Sequence, residues 1–194
     1  PGGNKIKTIQ TDVAINPGNS GGPLFMNNTV VGTIMTNLSL EQYLDTLGIR
    51  LKRVNVGDRY ILDEMINNDF SLGGEPSGHV LLTDHSKTGD GLLTAIKIIS
   101  LLKKSGQKAS EFLRPFKMTP YKIKNIEKID NKILNNTKIK NKINDLNKQL
   151  SNNGRILVRS SGTEQLTRIL VESRQKSIID KYLKKICEIL QSKD

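Results

Sequence analysis

The chain has 194 residues and a formal net charge of +11, with 36% hydrophobic and 25% charged residues. This composition is typical of one ordinary or two small globular domains and argues against a disordered chain. No apolar run approaches the roughly 20 residues that a membrane-spanning helix needs. The first ten residues lack the apolar core of a secretory signal, and the single cysteine, Cys187, excludes an internal disulfide. We therefore expect a cytoplasmic protein.

From Thr29 onward the sequence alternates predicted strands with predicted helices. A β-branched run over 29–36 predicts a buried strand, and Ser39 with Gln42 predicts the capped start of a helix that Gly48 ends. The pattern continues with a strand over 49–56, a helix over 57–68, short strands on either side of a turn within 70–84, and an amphipathic helix over 89–106. Short strands separated by helices predict an α/β unit with a largely parallel sheet.

The composition changes after Pro120. Residues 121–150 are rich in Lys, Asn and Ile, with helical spacing in their second half, and we interpret them as a solvated Lys-rich face or a linker. A strand, tight turn and strand over 155–173 and an amphipathic helix over 175–191 predict a small α+β unit. We place the boundary near 118–125. The predicted domains are 1–26, 27–120 and 121–194.

The stretch NPGNSGGPLF at 16–25 resembles the active-serine segment of HtrA/Deg-type trypsin-like serine proteases. The resemblance would make Ser20 the nucleophile, with backbone amides facing the oxyanion. A serine hydroxyl needs a base, yet no His precedes Ser20, and the chain's two histidines, His79 and His85, lie far downstream. We therefore interpret residues 1–26 as a β-barrel fragment without its barrel, in which Ser20 has no complete catalytic site.

A second motif, GGEPSGH, brings three polar groups together within five residues. Glu75, Ser77 and His79 offer a carboxylate, a hydroxyl and an imidazole on a glycine-containing turn. A carboxylate can accept hydrogen bonds from two neighbouring sugar hydroxyls. The spacing is equally compatible with a polar turn that carries a surface histidine.

A third motif, RSSGTEQLTR at 159–168, predicts an anion site on a tight turn. The backbone amides of Ser161, Gly162 and Thr163 could converge as an anion nest, while Arg159 clamps phosphate oxygens and Arg168 returns on the next strand. An ordinary hairpin turn with two surface arginines is the alternative.

These motifs occur in the order and spacing of a known group of enzymes. Residues from about 27 to the end resemble the α-D-phosphohexomutase superfamily, phosphoglucosamine mutases in particular, over the third and fourth of its four domains. The resemblance implies a sugar-recognition loop at Glu75, Ser77 and His79. It also implies a cleft segment and a phosphate-binding loop. The cleft residues are Gly57, Asp58 and Arg59, and the phosphate-binding residues are Arg159, Ser161, Gly162 and Thr163. Arg168, on the next predicted strand, is a further phosphate-binding candidate from the residue pattern. Three positions, Pro76, Ser160 and Gln165, depart from the usual pattern without removing a donor that the family uses.

The resemblance also implies an activity, the interconversion of glucosamine 6-phosphate and glucosamine 1-phosphate. That reaction uses a phosphoserine in the first domain and Mg²⁺ held by a D-x-D-x-D loop in the second. This sequence contains neither motif. We therefore expect a truncated, chimeric chain, joined near 25–28, that binds hexosamine phosphate and is inactive without the missing mutase domains. Whether it is an enzyme by itself stays open.

Two other functions remain as alternatives: an HtrA/Deg-like serine protease fragment and a basic nucleic-acid-binding protein. The positive charge favours the latter, but the Lys-rich stretch has no Arg, and Tyr121 is its single aromatic residue. It therefore lacks the guanidinium forks and stacking rings that read bases.

Overall fold

The computed structural model describes residues 9–10, 14–15, 28–162 and 164–191. The chain divides into two compact units, Pro1–Met118 and Thr119–Asp194. The GGEPSGH motif belongs to the first unit and the RSSGTEQLTR motif to the second. The protease-like motif, with Ser20, lies outside the described residues.

The described part of the first unit contains a four-stranded sheet and a separate two-stranded pair. Its strands are β1 (Ile9–Gln10), β2 (Ala14–Ile15), β3 (Thr29–Thr33), β4 (Arg50–Val54), β5 (Leu72–Gly74) and β6 (Val80–Leu82). Its helices are α1 (Leu38–Thr46), α2 (Asp58–Asn68), α3 (Gly91–Ser105) and α4 (Ala109–Phe112). The four-stranded sheet has the order β4-β3-β5-β6, and β6 is its one antiparallel member. The predicted α/β unit with a largely parallel sheet is confirmed.

The central strand β3 is buried on both faces because helices cover both sides of the sheet. Val30 lies in one core with Leu40 and Leu44 of α1. Val31 points to the opposite face and lies in a second core with Ile61 and Met65 of α2. Successive residues of a strand face opposite sides, so an unbroken apolar run is the sequence pattern of such a central strand.

Two predicted boundaries in this region were wrong. The strand ends at Thr33 rather than at residue 36 because the chain turns there, and the Thr36 amide donates to the Thr33 carbonyl at 3.0 Å. Helix α1 is capped by Asn37 rather than Ser39, since the Asn37 side chain accepts from the Ser39 amide. The predicted helix ends at Gly48 and Gly106 are confirmed by left-handed φ angles of 70° and 65°.

The second unit is a three-stranded antiparallel sheet with helices packed on one face. Its strands are β7 (Tyr121–Glu127), β8 (Gly154–Ser160) and β9 (Leu166–Ser173), in the order β7-β9-β8. Its helices are α5 (Asn131–Asn135), α6 (Thr137–Leu150) and α7 (Ile179–Gln191). A core that includes Ile156 of β8, Val171 of β9 and Ile186 of α7 joins the sheet to these helices. The predicted α+β architecture of this region is confirmed.

The first part of the Lys-rich stretch is a strand, not a linker. Residues 121–127 form β7, whose full length pairs with β9. As an edge strand it pairs on one side only and stays exposed, so polar residues are tolerated along it. The second half is helical, as its spacing predicted.

Among the helices that the structure describes, none combines the length and the apolar character that a membrane span requires.

Candidate functional site

The turn between β5 and β6 places Glu75, Ser77 and His79 in mutual contact. The Ser77 hydroxyl donates to Oε1 of Glu75 at 2.6 Å and lies 2.9 Å from Nδ1 of His79. The Glu75 amide donates to the His79 carbonyl at 3.1 Å, which closes the turn, and Gly78 takes a φ of 95° that favours glycine. The turn therefore presents its three polar side chains as one connected cluster.

The three groups differ in exposure. The Glu75 side chain is 10% exposed and that of His79 is 54% exposed. A carboxylate accepts hydrogen bonds only, whereas a hydroxyl both donates and accepts. The cluster can therefore offer hydrogen-bond acceptors at Glu75 and an imidazole nitrogen at His79 to a ligand. Ser77 joins the two side chains.

A small cavity of about 20 Å³ lies beside Glu75, where β3 and β5 end. Its lining includes Gly32, Thr36, Asn37, Gly74, Glu75 and Pro76. In open α/β sheets, ligands bind at the carboxyl ends of parallel strands. Glu75 therefore stands at the edge of the sheet where this architecture binds ligands.

Gly57, Asp58 and Arg59 lie at the same edge, because β4 runs parallel to β3 and they follow its carboxyl end. Gly57 takes a φ of 131° directly before α2, and the Asp58 side chain accepts from the Arg59 amide at 2.8 Å. The Arg59 side chain is 86% exposed, and its Nε lies 3.8 Å from Asp63 on the same helix. Arg59 is thus loosely held and available to a ligand.

In the second unit, Arg159 of β8 and Arg168 of β9 are paired directly opposite each other. Residues opposite each other in an antiparallel pair share a face, with Cβ atoms about 4.5–5.5 Å apart. Among the described residues, the buried Nε atoms of both arginines have no hydrogen-bond partner. Burial, and after it the charge of Arg168, lowers the pKa of Arg159 below its usual value. The sheet therefore places two partly buried positive charges beside one turn. The Nε–H donor of each arginine has no partner among the described residues.

The turn itself differs from the predicted anion nest. The Ser161 amide donates to the Leu166 carbonyl at 2.8 Å, so it holds the hairpin closed instead of facing outward. The Ser161 hydroxyl accepts from the Glu164 amide at 3.2 Å. Gly162 is exposed, and Thr163 lies outside the described residues. Within the described turn, the contribution of Ser161 is confined to its hydroxyl.

Comparison with known proteins agrees with both units. The family model of phosphoglucomutase/phosphomannomutase alpha/beta/alpha domain III matches residues 9–118. The model of the C-terminal domain of the same proteins matches residues 119–189. The chain belongs to the phosphoglucomutase/phosphomannomutase family. The resemblance to the third and fourth phosphohexomutase domains is confirmed.

Several relatives within this family are phosphoglucosamine mutases. That of Listeria monocytogenes serovar 1/2a is 41% identical over 170 residues, which make up 87% of this chain and 38% of the relative. That of Lactiplantibacillus plantarum is 39% identical over 166 residues, 85% of this chain and 37% of the relative. The chain thus spans a little over a third of the length of the curated relatives it matches.

Solved structures share the fold. A crystal structure of N-acetylglucosamine-phosphate mutase in its substrate complex has a TM-score of 0.71 at 20% identity, covering 84% of this chain and 38% of that protein. Aspergillus fumigatus N-acetylphosphoglucosamine mutase, in complex with GlcNAc-6P and magnesium, has a TM-score of 0.72 at 17% identity, with the same coverage. Magnesium therefore accompanies a protein of this fold.

The described residues of this family member do not fit a magnesium site. Within the described ranges, no group of three or more His, Cys, Asp or Glu side chains could hold a metal ion. The Glu75 cluster brings a single carboxylate, and Glu164 is engaged by Arg168. Magnesium favours several oxygen ligands, so we assign it none of the described residues.

Sequence reasoning missed Glu164 as part of the arginine site. Nη2 of Arg168 donates to Oε2 of Glu164, which gives one arginine a counter-ion inside the turn. The signal was present, since Glu164 ends the RSSGTE motif four residues before Arg168.

Proposed function

We propose that this chain binds hexosamine phosphates. We assign phosphate recognition to residues of the second unit and recognition of sugar hydroxyl groups to residues of the first unit. One observation carries the proposal: two arginines directly opposite each other, each with a buried Nε that lacks a described partner. A buried donor left unpaired costs free energy, which a ligand oxygen would recover. The names of the relatives, phosphoglucosamine mutases, support an amino sugar as the ligand.

For the phosphate, we assign the main role to Arg159 and Arg168. A guanidinium can donate two parallel hydrogen bonds to phosphate oxygens, and a dianion would relieve the repulsion between the two arginines. The Ser161 hydroxyl, the exposed backbone of Gly162 and Thr163 are the further contributors that we propose. Binding would compete with the Glu164–Arg168 ion pair, so Glu164 would act as a built-in competitor for the phosphate.

For the sugar, we assign Glu75, Ser77 and His79, with Gly57, Asp58 and Arg59 as neighbours at the same sheet edge. The Glu75 carboxylate would accept hydrogen bonds from sugar hydroxyls or from the ammonium group of a hexosamine. The hydrogen bond from Ser77 fixes one carboxylate oxygen before a ligand arrives, which reduces the entropy lost on binding.

The relatives support a reaction as well, the interconversion of glucosamine 6-phosphate and glucosamine 1-phosphate, which we propose for a protein that contains all the family's domains. We propose that this chain alone binds without turnover. Phosphoryl transfer relies on a cation to neutralise the oxygens in flight, and the sequence has no D-x-D-x-D loop to hold one. A coupled assay for glucosamine 1-phosphate formation should read zero, and turnover by purified chain would contradict this part of the proposal.

The binding test is calorimetric titration of the full chain with glucosamine 6-phosphate at fixed ionic strength. R159M should weaken binding by about 1.5–3 kcal/mol, the scale of a hydrogen bond to a charged group. E75Q should weaken glucosamine 6-phosphate binding and leave inorganic phosphate binding unchanged, because Glu75 is assigned to the sugar.

The matched control is R174M, which removes an exposed arginine of the same unit that lies outside the β8–β9 pairing. Its effect should stay within twofold. Equal losses in R159M and R174M would mean that general positive charge attracts the ligand, and no binding by the folded chain would refute the proposal.

A further inference from the structure

The register of the second sheet extends the arginine pair into a row of three residues. Asn125 of β7 is paired with Arg168 of β9, and Arg168 is paired with Arg159 of β8. Directly opposite residues share one face of an antiparallel sheet. Asn125, Arg168 and Arg159 therefore form one line across the sheet, on one face, with Asn125 at its edge.

The neighbours of Asn125 in β7 identify that face. Ile126 packs against the core that the helices cover, so it faces the helices. Lys124 shares this face with Ile126, since alternate residues of a strand point the same way. Asn125 lies between them and points to the opposite face. It is exposed.

The chemistry of an asparagine suits this position. Its amide carries two N–H donors and no charge, so it adds hydrogen-bonding capacity beside two guanidinium groups without adding repulsion. A lysine there would add a third positive charge, and a carboxylate would compete with the ligand. Side chains of directly opposite residues are near enough to contact one bound group together.

We propose that Asn125 is a third ligand-binding residue of this site, which donates a side-chain N–H to an oxygen of the phosphoryl group held by Arg159 and Arg168. This inference rests on the proposed phosphate binding. It adds a residue from a third strand, so β7, β8 and β9 each contribute one side chain.

The test uses the full chain, inorganic phosphate as the probe and constant ionic strength. N125A should raise the Kd about tenfold, the size of one hydrogen bond to a charged group, and N125D should raise it further by repelling the anion. K124A is the matched control, because it removes a whole positive charge from the adjacent residue on the opposite face; its Kd should change less than twofold.

A second measurement separates contact from indirect effects. The side-chain amide resonances of Asn125, assigned by their loss in N125A, should shift in ¹⁵N NMR as phosphate is added. If N125A and N125D bind like the unchanged protein while R159M does not, the role of Asn125 is refuted and the phosphate site stands. If the unchanged protein binds no phosphate, both are refuted.

Discussion

Arg159 and Arg168 lie directly opposite each other on β8 and β9, and burial together with the charge of Arg168 lowers the pKa of Arg159. Like charges opposite each other destabilise a sheet by up to about 1 kcal/mol. Replacing Arg159 should therefore stabilise the ligand-free protein slightly, which is the reverse of what most substitutions do.

We expect R159M to unfold at a slightly higher urea concentration than the unchanged chain in chloride buffer. In phosphate buffer of equal ionic strength, the order should reverse, because only the unchanged chain gains stability from the bound anion. Urea denaturation followed by circular dichroism measures both. If the urea concentration at the unfolding midpoint differs between chloride and phosphate buffer by the same amount in both proteins, an anion site at this arginine pair is contradicted.

The tautomer of the His79 ring follows from the single proton of the Ser77 hydroxyl. The Ser77 hydroxyl donates its proton to Oε1 of Glu75, so it accepts from Nδ1–H of His79. Neutral His79 would then keep Nε2 unprotonated, available to accept from a ligand. The direct Nδ1–Oε1 distance of 3.4 Å exceeds an ordinary hydrogen bond, so Ser77 is the group that fixes the tautomer.

We expect S77A to shift neutral His79 toward the Nε2–H form that an unconstrained histidine side chain prefers. The ¹⁵N shifts of the two ring nitrogens report the tautomer. The exposed His85 is the internal reference and should not change. If S77A leaves the His79 shifts as they were, the hydroxyl does not set the tautomer.

The central architecture was readable from the sequence because its signals are local. The run at β3 is apolar on both faces, and Gly48 and Gly106 end helices with the φ angles expected of them. Strand β7 was not readable, because residues 121–127 carry two lysines and an asparagine, and their partners in β9, residues 166–172, lie far along the chain. Tertiary pairing, not local propensity, decides the structure of an edge strand.

The site was predictable to a similar extent. Glu75, Ser77 and His79 lie close in sequence, and the structure joins them by hydrogen bonds. The Ser161 amide is used differently from what the motif suggests, because closing the hairpin needs its hydrogen bond to Leu166. Such backbone donors cannot be assigned until the register of the hairpin is known.

The ion pair of Arg155 and Glu172 connects β8 and β9 at a buried position, where Glu172 is 1% exposed. Removing one partner of a buried pair costs about 3–5 kcal/mol, because the other charge stays buried. We expect R155M to lose stability on this scale in urea denaturation. The double variant R155M/E172L should recover most of the loss, and a loss below about 1 kcal/mol in R155M would show that Glu172 does not depend on Arg155.

The sheet of the second unit leaves no room for a side chain at Gly154. A Cβ there would overlap the backbone carbonyl of Glu172 and lie 3.1 Å from Cα of Ser173. Backbone cannot move aside as a flexible side chain can, so G154A should destabilise by about 1–3 kcal/mol. G91A is the control: its Cβ would meet no described atom within 4 Å, at the first residue of α3, so stability should hold or rise slightly. Urea denaturation measures both variants. If G154A and G91A have the same unfolding free energy, the close approach of the Glu172 backbone to position 154 is contradicted.

The last prediction concerns alkaline stability and Tyr43. This side chain packs against the first core and lies 5.1 Å from the ring of Phe116, measured between centroids, and burial raises the pKa of Tyr43 to about 12. Because the folded pKa exceeds the unfolded value of about 10, the neutral phenol contributes stability that is fully present below pH 10 and lost as the pH rises toward 12. At this position Y43F has no group that ionises, so the unfolding free energy of the unchanged chain should fall more steeply than that of Y43F between about pH 10 and 12. Comparing the two by urea denaturation cancels the titration of the lysines, and parallel pH profiles would show that Tyr43 ionises as freely in the folded as in the unfolded chain.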